Sequence, residues 1–156
     1  MEGLVIALLG GAMAVFLAGT GSSIGIGYSG SAANGLLSEE PEKFGTVLLL
    51  VALPGTQGIY GFLTGFLVMQ KVGLISGAIA QVSVIQGLLI LVACLPVAIS
   101  GLFSAIHQGK VCAAGIAIAA KQPGDVMKGV IYAAFVETYA VLALVITILL
   151  LNGVKL

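Results

Sequence analysis

Three short polar breaks divide the chain into four apolar runs, each long enough to cross a lipid bilayer. The runs are Leu4–Leu36, Phe44–Gln70, Val82–Ala120 and Val126–Leu151, and the breaks are Ser38–Lys43, Lys71–Ala80 and Lys121–Asp125. A helix needs roughly 20 apolar residues to span the hydrocarbon core. Inside that core every backbone polar group must be satisfied internally. The pattern therefore predicts an all-α membrane protein whose four transmembrane helices form two hairpins, with both termini on one side. The first and third runs are long enough to tilt or to project beyond the core. Charged residues make up only 8% of the chain, against about 25% in soluble domains. All six basic residues are lysines and the net charge is zero, so no basic patch exists for nucleic acid. Ala12-Met13-Ala14 has the form of a leader cleavage site. The segment before it carries Glu2 and no base, and the apolar run continues past it, so a first transmembrane helix is expected instead.

The two hairpins read as copies. At a constant offset of 82, Gly19 pairs with Gly101, Ser22 with Ser104, Gly27 with Gly109, Ala32 with Ala114, Pro41 with Pro123 and Thr56 with Thr138. The division expected from this is residues 1–74 for the first hairpin and 75–156 for the second. Repeated units of this kind are common in membrane transport proteins. Small residues recur every four positions in the first run (Gly19, Ser23, Gly27, Ser31, Gly35) and in the third (Gly101, Ala105, Gly109, Ala113, Ala117). Such rows let helix backbones approach closely in lipid. They fit bundle packing within one chain, or a tightly curved inner layer in a larger assembly. Cys94 and Cys112 fall on one helix, about 27 Å apart at the helical rise, too far for a disulfide. They are expected to pack as small apolar residues.

Glu137 is the one acid placed inside an apolar run; Glu2, Glu39, Glu40, Glu42 and Asp125 lie at the terminus or in the breaks. A carboxylate near mid-membrane costs a few kcal/mol to insert, so it must be protonated, paired or cation-bound. Under the offset its counterpart is Gly55, and that of Gln108 is Ile26, so only the second hairpin carries the acid. Leu53, Thr56, Gln57 and Tyr60 occupy one face of the second run. Counted from Pro41 and Pro123, Thr56, Gln57, Gln108 and Glu137 all lie about 21–24 Å from the loop end. A hard monovalent cation wants several oxygens, of which one is charged. Glu137 supplies the charge, and Gln57, Gln108 and Thr56 supply neutral oxygens. Pro54 and Gly55 loosen the helix and free nearby carbonyls as ligands. Tyr60 is placed to donate to the carboxylate and fix its rotamer. Lys110 lies about 200° around the helix from Gln108 and is expected to face away from the site. His107 is expected to pack or to line the bundle interior, and Glu39, Glu40 and Glu42 to form a solvated loop.

These residues resemble one family throughout the chain: the duplicated four-helix proteolipid, called the c or K subunit, of rotary V-type and A-type ATPases. The resemblance is carried by the Gly/Ser-rich first run, Pro41-Glu42-Lys43-Phe44-Gly45, the segment Leu53–Gly61 (LPGTQGIYG), Gly101–Lys110 (GLFSAIHQGK) and Val136–Ala140 (VETYA). It is similar in particular to the sodium-transporting bacterial members. That likeness implies a sodium site of the Leu53 backbone carbonyl, Thr56, Gln57, Gln108 and Glu137, with Tyr60 bonded to the glutamate. It also implies a ring of identical subunits in the bilayer, with the first and third helices inside. The ring would turn against a membrane stator that supplies a basic residue, and would meet a soluble central stalk at the hairpin loops. At position 107 the family leads one to expect a small residue. Lys43, Lys121 and Lys128 in the hairpin loops slightly outnumber Lys71 and Lys155 at the other end, which agrees with cytoplasmic hairpin loops in a bacterial membrane.

Two cations compete for the site within this reading. A proton needs only the carboxylate, so the additional oxygens of Gln57, Gln108 and Thr56 favour Na+ over H+. A small four-helix cation antiporter is the rival class, but it needs aromatic residues around its acid, and the chain has no Trp and few Phe. A passive channel or purely structural proteolipid leaves the costly acid without a purpose. No nucleotide-binding glycine loop or nucleophile constellation is present, so the chain is not expected to hydrolyse ATP itself.

Overall fold

The computed structural model describes all 156 residues. Five α-helices make four membrane-length spans: α1 (Glu2–Leu37), α2 (Phe44–Ala52) continuing through a 3-10 turn into α3 (Thr56–Lys71), α4 (Val84–Lys121) and α5 (Val126–Gly153). The turn between α2 and α3 is Leu53–Gly55. Pro54 has no N–H to donate and fixes its own φ, so the α-helical ladder tightens there rather than continuing. Both hairpin loops end in a single 3-10 turn opened by proline, Pro41–Lys43 and Pro123–Asp125.

The observed helices follow the expected runs to within a few residues. The largest difference is at the central connection, which extends to Ser83. There Ser83 caps α4: its Oγ accepts from the Gln86 N–H, and the Gln86 side chain accepts from the Ser83 N–H. The cap delays the helix start. Gly73 and Gly77 take the positive φ that reverses the chain before it.

The most extensive contact joins α1 to α4; α3 packs on α1, and α5 on α4. Glycine makes the α1–α4 contact possible. A Cβ on Gly21 would sit 2.6 Å from the Leu102 Cα, and one on Gly25 would collide with the Ala105 carbonyl oxygen. Such close backbone approach is how helices associate where lipid removes any hydrophobic drive. The packed face of α1 therefore runs through Ala14, Ala18, Gly21, Gly25, Ser29 and Ala33.

The two small-residue rows part company here. On α4, Gly101, Ala105 and Gly109 are buried against α1. On α1, a Cβ added to Gly19, Gly27 or Gly35 would meet nothing within 4 Å, and Ser23 and Ser31 are exposed. A chain with 23 glycines offers several four-residue rows, and the row through Gly21 and Gly25 takes the intrachain contact. Cys94 and Cys112 are both buried and unpaired.

Two apolar clusters fill the bundle. One, near the termini, contains Ala14, Val68, Ile90, Val97 and Leu151; the other, near the hairpin loops, contains Val47, Leu50, Cys112 and Ile116. Buried Gln57, Ser104 and Gln108 form a polar layer between them. At the loop end, Lys43 ties the hairpins together, pairing with Glu40 at 2.7 Å and donating to the Ala120 carbonyl at 2.9 Å.

Candidate functional site

The polar layer is one connected hydrogen-bond chain ending on Glu137. The Tyr60 hydroxyl donates to Glu137 Oε1 at 2.7 Å, and Gln108 Nε2 donates to Oε2 at 3.3 Å and to the Ala133 carbonyl at 3.1 Å. Gln57 Nε2 donates to Gln108 Oε1 at 2.7 Å and to Ser104 Oγ at 3.2 Å. Thr56 Oγ1 lies 2.9 Å from the Leu53 carbonyl oxygen and 3.2 Å from Gln57 Oε1, sharing its proton between them. Three spans thus contribute: α3 and the turn before it, α4, and α5.

Each position has a local cause. The turn at Pro54 brings the Leu53 carbonyl round to face Thr56, one turn on. Gln57 and Tyr60 follow at helical spacing, so both point to the α4–α5 seam. Gln57 and Gln108 are fully buried, whereas Glu137 is partly exposed at the outer edge of that seam. Burial of two primary amides between apolar clusters is tolerable only because nearly every donor has an acceptor. Glu137 has no basic partner; the only ion pairs join Lys43 to Glu40 and Lys128 to Asp125.

All six residues singled out in the sequence, Leu53, Thr56, Gln57, Tyr60, Gln108 and Glu137, meet in this one network. Lys110 lies away from it, with its ammonium 5.6 Å from the ring centroid of Tyr28 on α1. His107 requires a correction. It does not line the interior but is exposed on the outer side of α4. One residue is 100° of helix, and the interior arc is already filled by Ser104, Ala105, Gln108 and Gly109.

Sequence reasoning missed Ser104, which accepts from Gln57 and donates to the Val136 carbonyl at 3.0 Å. The signal was present: Ser104 is one turn before Gln108 on the same face, and its repeat partner Ser22 also bonds across a hairpin. Ser22 Oγ accepts from the Gly58 N–H at 2.8 Å.

Four membrane-length helices, with a single carboxylate held in a mid-span polar layer, define a duplicated-hairpin membrane proteolipid. The family model for the ATP synthase C subunit matches residues 9–68 and again residues 91–150, so the two matches begin 82 residues apart. The chain belongs to this ATP synthase C-subunit family. It is 51% identical over 148 residues to the V-type sodium ATPase subunit K of Enterococcus hirae, covering 95% of this chain and 91% of that protein. It is also 36% identical over 155 residues to the A-type ATP synthase subunit K of Methanocaldococcus jannaschii, covering 99% of this chain and 65% of that longer protein. The chain is accordingly an integral, multi-pass membrane subunit without catalytic activity of its own, the hydrolysis of ATP lying on other subunits.

Proposed function

We propose that this chain is the ion-carrying subunit of a rotor ring in a sodium-translocating V-type ATPase, binding one Na+ at Glu137. The carrying observation is the network itself. One carboxylate sits at its edge, and the neutral oxygens of Gln108, Gln57, Thr56 and Leu53 stand in line behind it. The similarity to a V-type sodium ATPase subunit supports the choice of ion.

A hard cation recruits oxygens. To serve it, the Gln108 amide turns so that Oε1 rather than Nε2 faces Glu137. Gln57 Nε2 then keeps Ser104 Oγ as its acceptor but loses Gln108 Oε1, whose place the Gln108 Nε2 donor takes, so the two amides must also draw apart. Tyr60 continues to hold the carboxylate while Na+ takes its negative charge.

Electrostatics then couples loading to rotation. A bare carboxylate in hydrocarbon is prohibitive, so the ring turns through lipid only with loaded, neutral sites. At a stator subunit, a basic residue from another chain tolerates the empty carboxylate and releases the ion. With one carboxylate per four spans, one ion travels with each copy of the chain. On this reading residues 1–74 and 75–156 are the two repeats, only the second of which kept its acid. A central stalk meets the hairpin loops.

Labelling of Glu137 by a hydrophobic carbodiimide at alkaline pH tests the proposal. Sodium is expected to protect Glu137, and potassium is not. Labelling indifferent to sodium assigns the site to protons instead.

A further inference from the structure

A cavity of about 310 Å³ opens between the C-terminal ends of α3 and α5, lined by Leu67, Gln70 and Lys71 from one helix and Ile148, Leu151 and Asn152 from the other. Gln70, Lys71 and Asn152 bring an ammonium and two primary amides to one mouth, above a floor of three aliphatic side chains. None of these three polar side chains makes a hydrogen bond or an ion pair within the chain. The last turn of a helix favours a cation, but its partial charge is only about half an elementary unit. Lys71 is half-buried here, and its charge calls for a partner that the chain does not supply.

Depth says where that partner comes from. The α2–α3 span is centred beside Gln57, and α5 beside Ala140. Lys71 and Asn152 lie about 18–21 Å from those centres at the helical rise. The hydrocarbon core ends about 15 Å from its midplane, and the headgroup layer about 22 Å from it. The mouth of the cavity therefore sits among lipid headgroups, on the side of the termini. Below it the α3–α5 seam runs back towards the site. Leu67 and Leu63 on α3, with Ile148, Leu144 and Val141 on α5, fall at helical spacing between the mouth and the Tyr60–Glu137 bond. All five are aliphatic, and Leu63 and Val141 are exposed.

We infer that this cavity binds the headgroup of an anionic phospholipid, one of whose acyl chains lies along the α3–α5 seam as far as the outer edge of Glu137. Lys71 pairs with the phosphate, and the Gln70 and Asn152 amides donate to headgroup oxygens. The lipid's net negative charge cancels that of Lys71. A zwitterionic lipid sets an ammonium of its own beside the lysine, which makes it the poorer occupant. Free phosphate meets the same donors but leaves Leu67, Ile148 and Leu151 uncovered, whereas a lipid tail covers them. An acyl chain that descends to the bilayer centre ends level with Ala140, three residues or about 5 Å from Glu137. There it shields the partly exposed carboxylate from water on the side of the termini. The pocket is independent of which ion Glu137 binds and needs only the membrane spans.

The test uses the full chain in phosphatidylcholine nanodiscs holding a trace of phosphatidylglycerol that carries a diazirine near the end of one acyl chain. Photolabelling, mapped by peptide mass spectrometry, is expected to concentrate on Leu63, Val141 and Leu144. Unlabelled phosphatidylglycerol is expected to compete the label away, and inorganic phosphate is not. Lys71→Gln is expected to lower the labelling about tenfold or more, the loss of one hydrogen bond to a charged group. Lys155→Gln removes the same charge at the same end of the bundle and is expected to leave it unchanged. Labelling spread evenly over the lipid-facing sides of α3 and α5 overturns the site, and this arm needs no variant to fold. Unchanged labelling in Lys71→Gln, or an equal fall in both lysine variants, also overturns it. Equal labelling by a phosphatidylcholine bearing the same diazirine overturns the choice of an anionic lipid. Competition by inorganic phosphate overturns the choice of a lipid and gives the cavity to the free anion.

Discussion

The Tyr60 hydroxyl donates to Oε1 of Glu137 at 2.7 Å, across 77 positions of sequence and between two different spans. It is the shortest tie on the carboxylate, and the Tyr60 backbone carbonyl is itself bonded by Thr64 Oγ1 at 3.0 Å. The opposite oxygen is held by Gln108 at 3.3 Å. Two donors on different helices fix both oxygens of a side chain that would otherwise turn freely at the outer edge of the bundle.

Tyr60→Phe removes one of those ties without changing the packed ring. A hydrogen bond to a charged group contributes about 1.5–3 kcal/mol. The sodium concentration giving half-protection of Glu137 from carbodiimide is expected to rise at least tenfold, with the fold unchanged by circular dichroism. An unaltered half-protection concentration would mean that Gln108 alone orients the carboxylate.

Replacing the acid separates charge from shape. Glu137→Gln keeps the volume and the acceptor for Tyr60 but carries no charge. Sodium-coupled transport by the reconstituted complex is expected to be lost, while the chain folds and inserts as before. Glu137→Asp keeps the charge but retreats by one methylene from both donors, so weakened transport, with a raised sodium requirement, is expected. Transport surviving in the Gln variant would remove the basis of the proposed function.

Gln108→Leu acts differently, because three groups each lose a hydrogen bond at once: Glu137 Oε2, the Ala133 carbonyl and Gln57 Nε2, which keeps Ser104. Each lost hydrogen bond costs about 0.5–1.5 kcal/mol. A lower unfolding temperature in detergent is expected, together with loss of sodium protection. Ser104→Ala removes only the back wall of the network, and a smaller effect on both readouts is expected, on the order of 1 kcal/mol.

The spans and the level of the site were legible because both follow from simple geometry. Apolar runs longer than a bilayer must be helices, and residues at equal distances from Pro41 and Pro123 must share a depth. Counting along the chain is enough to bring Thr56, Gln57, Gln108 and Glu137 to one level. The 82-residue offset was equally visible, through prolines and glycines that low-complexity composition cannot align by itself. Rotation about each helix axis was not legible. With small residues on every side of α1, the sequence does not say whether Gly21 and Gly25 or Gly19 and Gly27 meet α4; only the fit of backbone against backbone decides it. His107 was misplaced for the same reason, since its neighbour Gln108 claims the interior and leaves the next position outward. Ser104 escaped notice because a hydroxyl among glycines and alanines looks like one more small residue.

That rotational choice yields the sharpest contrast between two nearby glycines. A methyl group on Gly25 would collide with the Ala105 carbonyl and press on Pro54, neither of which can move without shifting a helix or the turn that presents Leu53. Gly25→Ala is therefore expected to destabilise the chain by about 1–3 kcal/mol, as overpacking does, and to weaken sodium protection by disturbing Pro54. Gly27→Ala puts the same methyl group into open space. Within one molecule it clashes with nothing, and alanine favours helix over glycine by about 1 kcal/mol. Unfolding of the isolated chain in detergent should thus separate the two, with a clear fall for Gly25→Ala and no fall for Gly27→Ala. Equal destabilisation by both would mean that α1 is rotated from the orientation described.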